Sequence, residues 1–141
     1  MTIRILVLAA GLAAALGAQE KATLYERVGR YDGIAKIVDG YLKGVRADPQ
    51  FARFSGRGTD SLVRAKQLLK DQLCALAGGP CVYIGRDMKT AHGGLGITES
   101  DWAASQNYMG AALDGAKVAG EDKKEFLGLI EGMKGMFVEK Q

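Results

Sequence analysis

The stretch GGPCVYIGRDMKTAHGGLGIT, residues 78–98, decides how this sequence is interpreted. It contains the only histidine of the chain, His92, at the end of a short predicted helix over residues 88–92. A glycine-rich extended stretch follows and lets the imidazole ring stand clear of the backbone. Such surroundings suit a flat hydrophobic ligand that needs one axial bond. We expect four apolar residues to flank the imidazole: Met88, Leu95, Ile97 and Trp102.

Helical periodicity dominates on both sides of this stretch, and no segment alternates apolar and polar residues for long enough to predict a strand. The sequence therefore predicts an all-α domain in which two antiparallel helix pairs pack across each other. The first half of the chain is predicted to form a helical turn over 23–28, a helix over 33–46 that is capped by Asp32, and a loop over 50–58. The next predicted helix is capped by Thr59 or Asp60 and ends at 78–80. Of the two helices predicted after residue 98, one begins with a capping box formed by Thr98 and Asp101, and the last follows a break at Gly120 and carries Phe126 and Phe137.

The composition is that of a small globular domain. A chain of 141 residues suffices for one domain with one modest core. The net charge of +3 is spread along the chain, which argues against binding to nucleic acid. The sequence lacks nucleotide-binding and hydrolase motifs, and one histidine with two cysteines is a poor ligand supply for zinc. His92 is therefore the residue on which chemistry can be built.

The N-terminus has the pattern of a secretory signal peptide. Arg4 supplies a positive charge, residues 5–16 form an apolar run, and Gly17 and Ala18 are small residues suited to cleavage. The run is shorter than the roughly 20 residues that a transmembrane helix needs. We expect residues 1–18 to be removed and residues 19–141 to form the mature domain. The predicted location is periplasmic or secreted, with no membrane association after cleavage.

Two cysteines, Cys74 and Cys81, lie seven residues apart. In an oxidising compartment they can form a disulfide, and the alternative is a pair of buried thiols that act as small apolar side chains. Both alternatives stay open at this point. The spacing fits neither a zinc site nor a redox motif, and the absence of C-x-x-C-H excludes covalent attachment of a c-type haem.

On these residues the chain resembles the group I truncated haemoglobins, which are short globins with a two-over-two helical fold. The resemblance covers residues 23–138, and the segment 78–98 is its most specific part. The residues that carry it are Leu24 to Gly29, Ile37 to Asp39, Ala47 to Pro49, Phe54, Gly78 to Pro80, Tyr83, Gly85, Met88, Lys89, His92 and Gly94 to Thr98.

The resemblance implies a truncated two-over-two globin fold and a haem b whose iron is held by His92 as the proximal ligand. It implies further that Phe54 wedges against the haem and that Tyr83 lies near a propionate. Arg86 and Lys89 either pair with propionates or are simply solvated. The residues expected around the haem are Leu42, Phe54, Leu69, Leu73, Tyr83, Met88, Leu95, Ile97 and Trp102.

One departure from the family pattern concerns the side of the haem opposite His92. Many relatives carry Phe-Tyr in the helix before Asp-Pro, and that tyrosine donates a hydrogen bond to the oxygen ligand. Here the pair reads Tyr41-Leu42, so a gapless alignment puts Leu42 at the donor position. The resemblance then implies an unusually apolar distal pocket.

The register of the next helix leaves two alternatives. The gapless register places Ala65, Leu68 and Leu69 over the iron. A register shifted by two residues instead brings Lys66 and Gln67 there, and Lys66 would then be a candidate iron ligand. We favour the gapless register, which keeps the distal side apolar.

Three functions are compatible with this reading. The first is a globin that reversibly binds a diatomic gas, namely oxygen, nitric oxide or carbon monoxide, with oxygen transport as one such role. The second is a haem enzyme that converts nitric oxide with oxygen to nitrate, or a weak peroxidase; the sequence identifies no reductase partner. The third is a haem-free helical interaction domain in which His92 is structural. An apolar distal pocket favours the first over the second, because oxygen-dependent chemistry needs oxygen held in place.

Overall fold

The computed structural model describes residues 21–58 and 60–139, and within them the chain is helical with no strand. The predicted all-α class is confirmed. The signal-peptide prediction for residues 1–18 lies outside the described residues. No helix in the described part is long and apolar enough to cross a membrane. The helices are α1 (Leu24–Arg27), α2 (Arg30–Ala47), α3 (Leu62–Leu76), α4 (Met88–His92), α5 (Glu99–Gly115) and α6 (Gly120–Glu131), with 3₁₀ turns at Pro49–Phe54 and Lys134–Met136.

The main packing contact of the fold joins α2 to α5. Helix α3 also packs on α2, and α6 packs on α5, so two helix pairs meet across one core. The two central helices approach closely at Gly44, where a β-carbon would collide with the Tyr108 ring. The largest fully buried side chains of this core are Phe126, Ile34, Ile37, Leu113, Val38 and Cys74.

Several helix starts follow from side-chain caps. The predicted capping box of Thr98 and Asp101 is present at the start of α5. The predicted cap at Asp32 is wrong, because α2 already begins at Arg30 and places Asp32 in its first turn. In the first turn the Asp32 carboxylate still interacts favourably with the helix dipole. The predicted caps of α3 at Thr59 or Asp60 are also wrong. The hydroxyl of Ser61 accepts the hydrogen bond from the Arg64 amide at 3.2 Å.

Two segments differ from the predicted pattern. The predicted loop over 50–58 overlaps the 3₁₀ turn Pro49–Phe54. This turn forms because the Asp48 carboxylate accepts from the Gln50 amide at 2.8 Å and because proline suits the first position of a helix. The predicted break before the last helix is present, but it lies over residues 116–119, and Gly120 begins α6. Helix α6 ends at Glu131, so Phe137 lies outside it, behind the second 3₁₀ turn.

Cys74 and Cys81 form a disulfide, with their Cα atoms 5.8 Å apart. The structure thus decides between the two alternatives that the sequence left open. Cys74 is fully buried in the core near the end of α3, and Cys81 lies in the segment that leads to α4. The bridge therefore anchors that segment directly to the core.

Reduction of this disulfide is expected to lower the free energy of unfolding by about 2–3 kcal/mol, because an open loop gives the unfolded chain more conformations. Denaturant unfolding with and without a thiol reductant measures the difference. The matched control is the Cys74→Ala/Cys81→Ala variant, whose stability should not respond to the reductant. Alanine is chosen because a serine hydroxyl at buried position 74 would need a hydrogen-bond partner. A wild-type protein equally indifferent to the reductant would contradict the bridge.

Candidate functional site

His92 ends the short helix α4, as predicted. The Asp87 carboxylate caps this helix by accepting from the Thr90 amide at 2.9 Å. One turn before the histidine, the Met88 carbonyl lies 3.0 Å from His92 Nδ1. A carbonyl only accepts hydrogen bonds, so Nδ1 must carry the proton. In the neutral ring the lone pair is then on Nε2, so this nitrogen is the one available to bind a metal.

Burial lowers the pKa of His92 below its ordinary value. The positive charge of Arg86 lowers the pKa as well. The hydrogen bond to the Met88 carbonyl raises the pKa, but it is outweighed by burial and Arg86 together. Both effects that prevail disfavour the imidazolium. Near neutral pH the imidazole is therefore neutral and able to donate its lone pair to a metal.

An aromatic cluster packs beside the imidazole. The Phe137 ring lies 4.3 Å from the His92 ring, centroid to centroid, and 5.2 Å from the Trp102 ring. Trp102 is buried, and its indole nitrogen donates to the Glu131 carboxylate at 2.7 Å. Phe137 thus connects Trp102 with His92, although the sequence does not predict Phe137 at the site.

Phe54 is held at the end of the first 3₁₀ turn by the residues around it. It is half-buried, and the Arg53 guanidinium lies 4.3 Å from its ring centroid. Arg53 in turn forms an ion pair with Asp101 at the start of α5. The Arg57 guanidinium donates to the Gly94 carbonyl at 3.2 Å, which connects this region with the loop after His92.

Tyr83 supports the segment before α4. Its hydroxyl donates to the Arg86 carbonyl at 2.6 Å, and its ring is half-buried. Burial raises the pKa of this hydroxyl above its ordinary value, so it stays a hydrogen-bond donor. In the structure Tyr83 therefore stabilises its own loop through the hydrogen bond to Arg86. The expected proximity of Tyr83 to a propionate remains a prediction. Arg86 and Lys89 are exposed.

The other predicted pocket residues differ in burial. Leu73 is buried in the core, 2% exposed, whereas Leu42 and Leu69 are half-buried and pack against the edge of the core. Met88, Leu95 and Ile97 are also half-buried. Partial exposure leaves apolar surface on α2, α3 and the α4 region that a ligand can cover.

Three polar side chains that lie close in sequence to the predicted distal residues have partners elsewhere. The Tyr41 hydroxyl shares a hydrogen bond with the Ser105 hydroxyl of α5 at 2.8 Å. The Gln67 amide donates to the Tyr31 hydroxyl at 2.6 Å and also to Asp71. Lys66 forms an ion pair with Asp39 of α2.

Asp101 is a buried carboxylate, 2% exposed, that joins the first 3₁₀ turn to the start of α5. It accepts hydrogen bonds from Gln50 at 2.9 Å, from Arg53, and from the amide and hydroxyl of Thr98 at 2.8 Å each. Burial alone would raise the pKa of Asp101, but these hydrogen bonds outweigh it and hold the pKa well below its usual range. Asp101 therefore fixes the turn that carries Phe54 against the helix that carries Trp102.

Asp101→Asn is expected to lower the free energy of unfolding at pH 7 by about 2 kcal/mol, because the variant loses charge-assisted hydrogen bonds. The depressed folded pKa means that this stabilisation is complete above the unfolded pKa of about 3.9 and is lost as the pH falls towards the folded value. Denaturant unfolding of both proteins between pH 7 and pH 3 measures it. Asp114→Asn, at an exposed position, is the control and should change little. If the difference in free energy of unfolding between the wild type and Asp101→Asn stayed constant below pH 4, the role of the Asp101 charge would be contradicted.

The described residues bring no three histidine, cysteine, aspartate or glutamate side chains together in a metal-binding cluster. A metal at His92 would therefore need most of its ligands from another source. Haem would supply four ligands from its porphyrin and would need a side chain such as His92 to hold its iron. A lone, neutral, half-buried imidazole next to apolar surface fits that arrangement.

Residues 23–138 match the family model for bacterial-like globins. This chain belongs to the bacterial-like globin family. A group 1 truncated haemoglobin from a Nostoc species is 33% identical to this globin over 122 residues, covering 84% of this chain and 98% of that protein. The truncated haemoglobin of Tetrahymena pyriformis in its Fe(III) form superposes with a TM-score of 0.75 at 28% identity, covering 84% of this chain and 100% of that one.

A third relative is the 2/2 haemoglobin of a Synechococcus species, solved in the cyanomet state with covalently attached haem. It superposes on this globin with a TM-score of 0.71 at 26% identity and covers 80% of this chain and 94% of that one. The predicted resemblance to truncated haemoglobins and the predicted fold are thus confirmed. The family makes this chain a haem-binding globin, and the haem-free interaction domain is no longer supported.

Sequence reasoning missed three contributors to this globin's site. The helical spacing of Phe137 from Ile130 and Met133 is visible in the sequence, but this spacing indicates only that Phe137 packs in the core. Glu139 hydrogen-bonds the loop after His92 and had no signal, because its partners lie more than 40 residues away. The Met88 carbonyl is a backbone group, and only the observed helix shows that it meets His92.

Proposed function

We propose that this globin reversibly binds a diatomic gas at a haem b whose iron is held by His92. A haem held by His92 would supply the iron to which such a gas binds. The protein supplies the proximal ligand and the surroundings that determine how long the gas is retained. The absence of a C-x-x-C-H motif supports a non-covalent haem.

The observation that carries this proposal is the hydrogen bond between His92 Nδ1 and the Met88 carbonyl at 3.0 Å. It fixes the tautomer with the lone pair on Nε2, and it orients the ring from within the same short helix. Hydrogen bonding of the second ring nitrogen is the usual way in which proteins orient a histidine that binds a metal. Because the pKa of His92 is lowered, the ring is already neutral near neutral pH and need not lose a proton before it binds the metal.

We propose further that the distal side is apolar. This is supported by the engagement of Tyr41 with Ser105, of Gln67 with Tyr31, and of Lys66 with Asp39. Each of these polar side chains would have to break an existing interaction in order to serve a ligand on the iron. Leu42 and Leu69, which offer no donor, are only half-buried and have apolar surface available.

Absorption spectra of the purified protein test the proposal. We expect a Soret band, a five-coordinate ferrous form, and a reversible spectral change when carbon monoxide is added and removed. A protein that contains no haem after expression with excess haem would contradict the proposal. A six-coordinate low-spin ferrous spectrum without added ligand would contradict the apolar distal side, and its loss in Lys66→Ala would identify Lys66 as the ligand.

We propose that the protein is exported and works in the periplasm or outside the cell. The signal-peptide pattern of residues 1–18 motivates this location, and the Cys74–Cys81 disulfide supports it, because disulfides persist in oxidising compartments. Cell fractionation followed by intact-mass measurement tests it. A cytoplasmic protein that retains Met1 to Ala18 would contradict export.

A further inference from the structure

Glu139 holds the glycine-rich loop that follows His92. Its carboxylate accepts hydrogen bonds from the Gly94 and Gly96 amides, each at 2.6 Å. Its own backbone amide donates to the Ile97 carbonyl at 2.9 Å. A single residue near the C-terminus thus makes side-chain and backbone hydrogen bonds to one loop.

The loop is shaped to receive a carboxylate. Gly94 and Gly96 have positive φ angles of 78° and 66°, in the left-handed region that favours glycine. Around Gly94 a β-carbon would meet nothing within 4 Å, so the backbone conformation, not crowding, favours glycine there. The Gly94 and Gly96 amides both point to one carboxylate, whereas the Leu95 amide between them donates to the His92 carbonyl at 3.3 Å. Glu139 supplies the anion from within the chain.

The same C-terminal segment also contacts the histidine itself. Helix α4 has its most extensive helix contact with the Lys134–Met136 turn. Immediately after that turn, the Phe137 ring packs 4.3 Å from the His92 ring. The imidazole is therefore flanked by Phe137, while the backbone just beyond it is held by Glu139.

We propose that Glu139 is a positioning residue for His92, acting through the loop 93–97. Its carboxylate keeps the end of α4 in place, and this preserves the hydrogen bond between His92 Nδ1 and the Met88 carbonyl and the orientation in which Nε2 meets iron. The effect on iron rests on the function proposed above, whereas the holding of the loop does not.

The test compares Glu139→Ala and Glu139→Gln with the wild-type protein as purified. The backbone hydrogen bond from residue 139 to Ile97 survives both changes, so the substitutions isolate the carboxylate. Glu121→Ala is the matched control, since the Glu121 side chain is 89% exposed and lies on α6. Two quantities are measured: amide hydrogen exchange at Gly94 and Gly96 by NMR on the carbon monoxide form, and the iron–histidine stretching band of the ferrous protein by resonance Raman.

In Glu139→Ala we expect exchange at both glycine amides to accelerate about tenfold, from the loss of two charge-assisted hydrogen bonds at an exposed site. We also expect the iron–histidine band to shift or broaden. Glu139→Gln should lie between the wild type and Glu139→Ala, because its amide oxygen can still accept from one glycine. Glu121→Ala should match the wild type in both measurements.

Unchanged exchange at Gly94 and Gly96 in Glu139→Ala would overturn the proposal. Faster exchange with an unchanged iron–histidine band would also overturn it, because the loop would then be held without consequence for His92. A wild-type protein that binds no haem would instead contradict the function proposed above. Amide exchange in that protein would still decide whether Glu139 holds the loop.

Discussion

Replacing His92 with glycine is expected to remove the axial bond to iron and to weaken haem binding by more than about a hundredfold. Loss of a residue that merely supports a metal ligand already costs roughly 10–100-fold, and loss of the ligand itself should cost more. No other histidine exists in the chain to take over the role. Haem transfer to an excess of apomyoglobin measures the change, together with the disappearance of the iron–histidine stretching band.

Two controls separate this effect from unfolding. His92 is half-buried at the end of a five-residue helix, outside the main core, so the variant should keep its far-ultraviolet circular dichroism and cooperative unfolding. Imidazole added to His92→Gly should restore a five-coordinate ferrous spectrum, because it can enter the space that the side chain leaves. Wild-type haem retention in the folded variant would show that His92 is not the ligand.

Leu42→Tyr is expected to slow oxygen dissociation by about ten- to a hundredfold. A tyrosine hydroxyl at this position would donate a hydrogen bond to the partially negative oxygen ligand, and such bonds contribute roughly 1.5–3 kcal/mol. Each 1.4 kcal/mol corresponds to about a factor of ten. Carbon monoxide carries less negative charge and should respond less. Stopped-flow oxygen displacement by carbon monoxide measures the dissociation rate.

The matched control for this substitution is Leu42→Phe, which adds the same ring without the hydroxyl. A second control, Tyr41→Phe, removes a hydroxyl that is bonded to Ser105 and should leave the rate unchanged. Equal dissociation rates for Leu42→Tyr and Leu42→Phe would contradict the placement of Leu42 on the distal side. A large acceleration in Tyr41→Phe would show that Tyr41 is the donor instead.

Features predicted successfully from the sequence are those set by neighbouring residues. The Thr98 and Asp101 capping box and the five-residue helix that ends at His92 are examples. Errors arose where two local signals compete within a few residues. The sequence favours Thr59 or Asp60 over Ser61, and Asp32 over Gly29, whereas α3 is capped by Ser61 and α2 begins after Gly29. All of these are candidate caps by residue type or position, and only the backbone conformation selects among them.

The candidate site was predictable only in part. The position of His92 within residues 78–98 indicated the iron ligand, and the pair Tyr41-Leu42 raised the question of the distal donor. The sequence could not show that Tyr41 turns to Ser105, 64 residues away, because such a contact depends on how α2 meets α5. The same holds for Asp101, whose partners Gln50 and Arg53 lie about 50 residues earlier.

The sequence by itself determined that this protein is all-helical, that it resembles the truncated haemoglobins, and that His92 is its one candidate for an axial ligand. Periodicity, capping and the spacing of a short motif are local properties, and they are readable without coordinates. Only the tertiary structure decided that Cys74 and Cys81 are bridged, and that Phe137 and Glu139 hold the histidine and its loop. These contacts depend on where helices end and how they pack. Because α6 ends at Glu131, the residues that follow it can pack beside His92, as the Phe137 ring does.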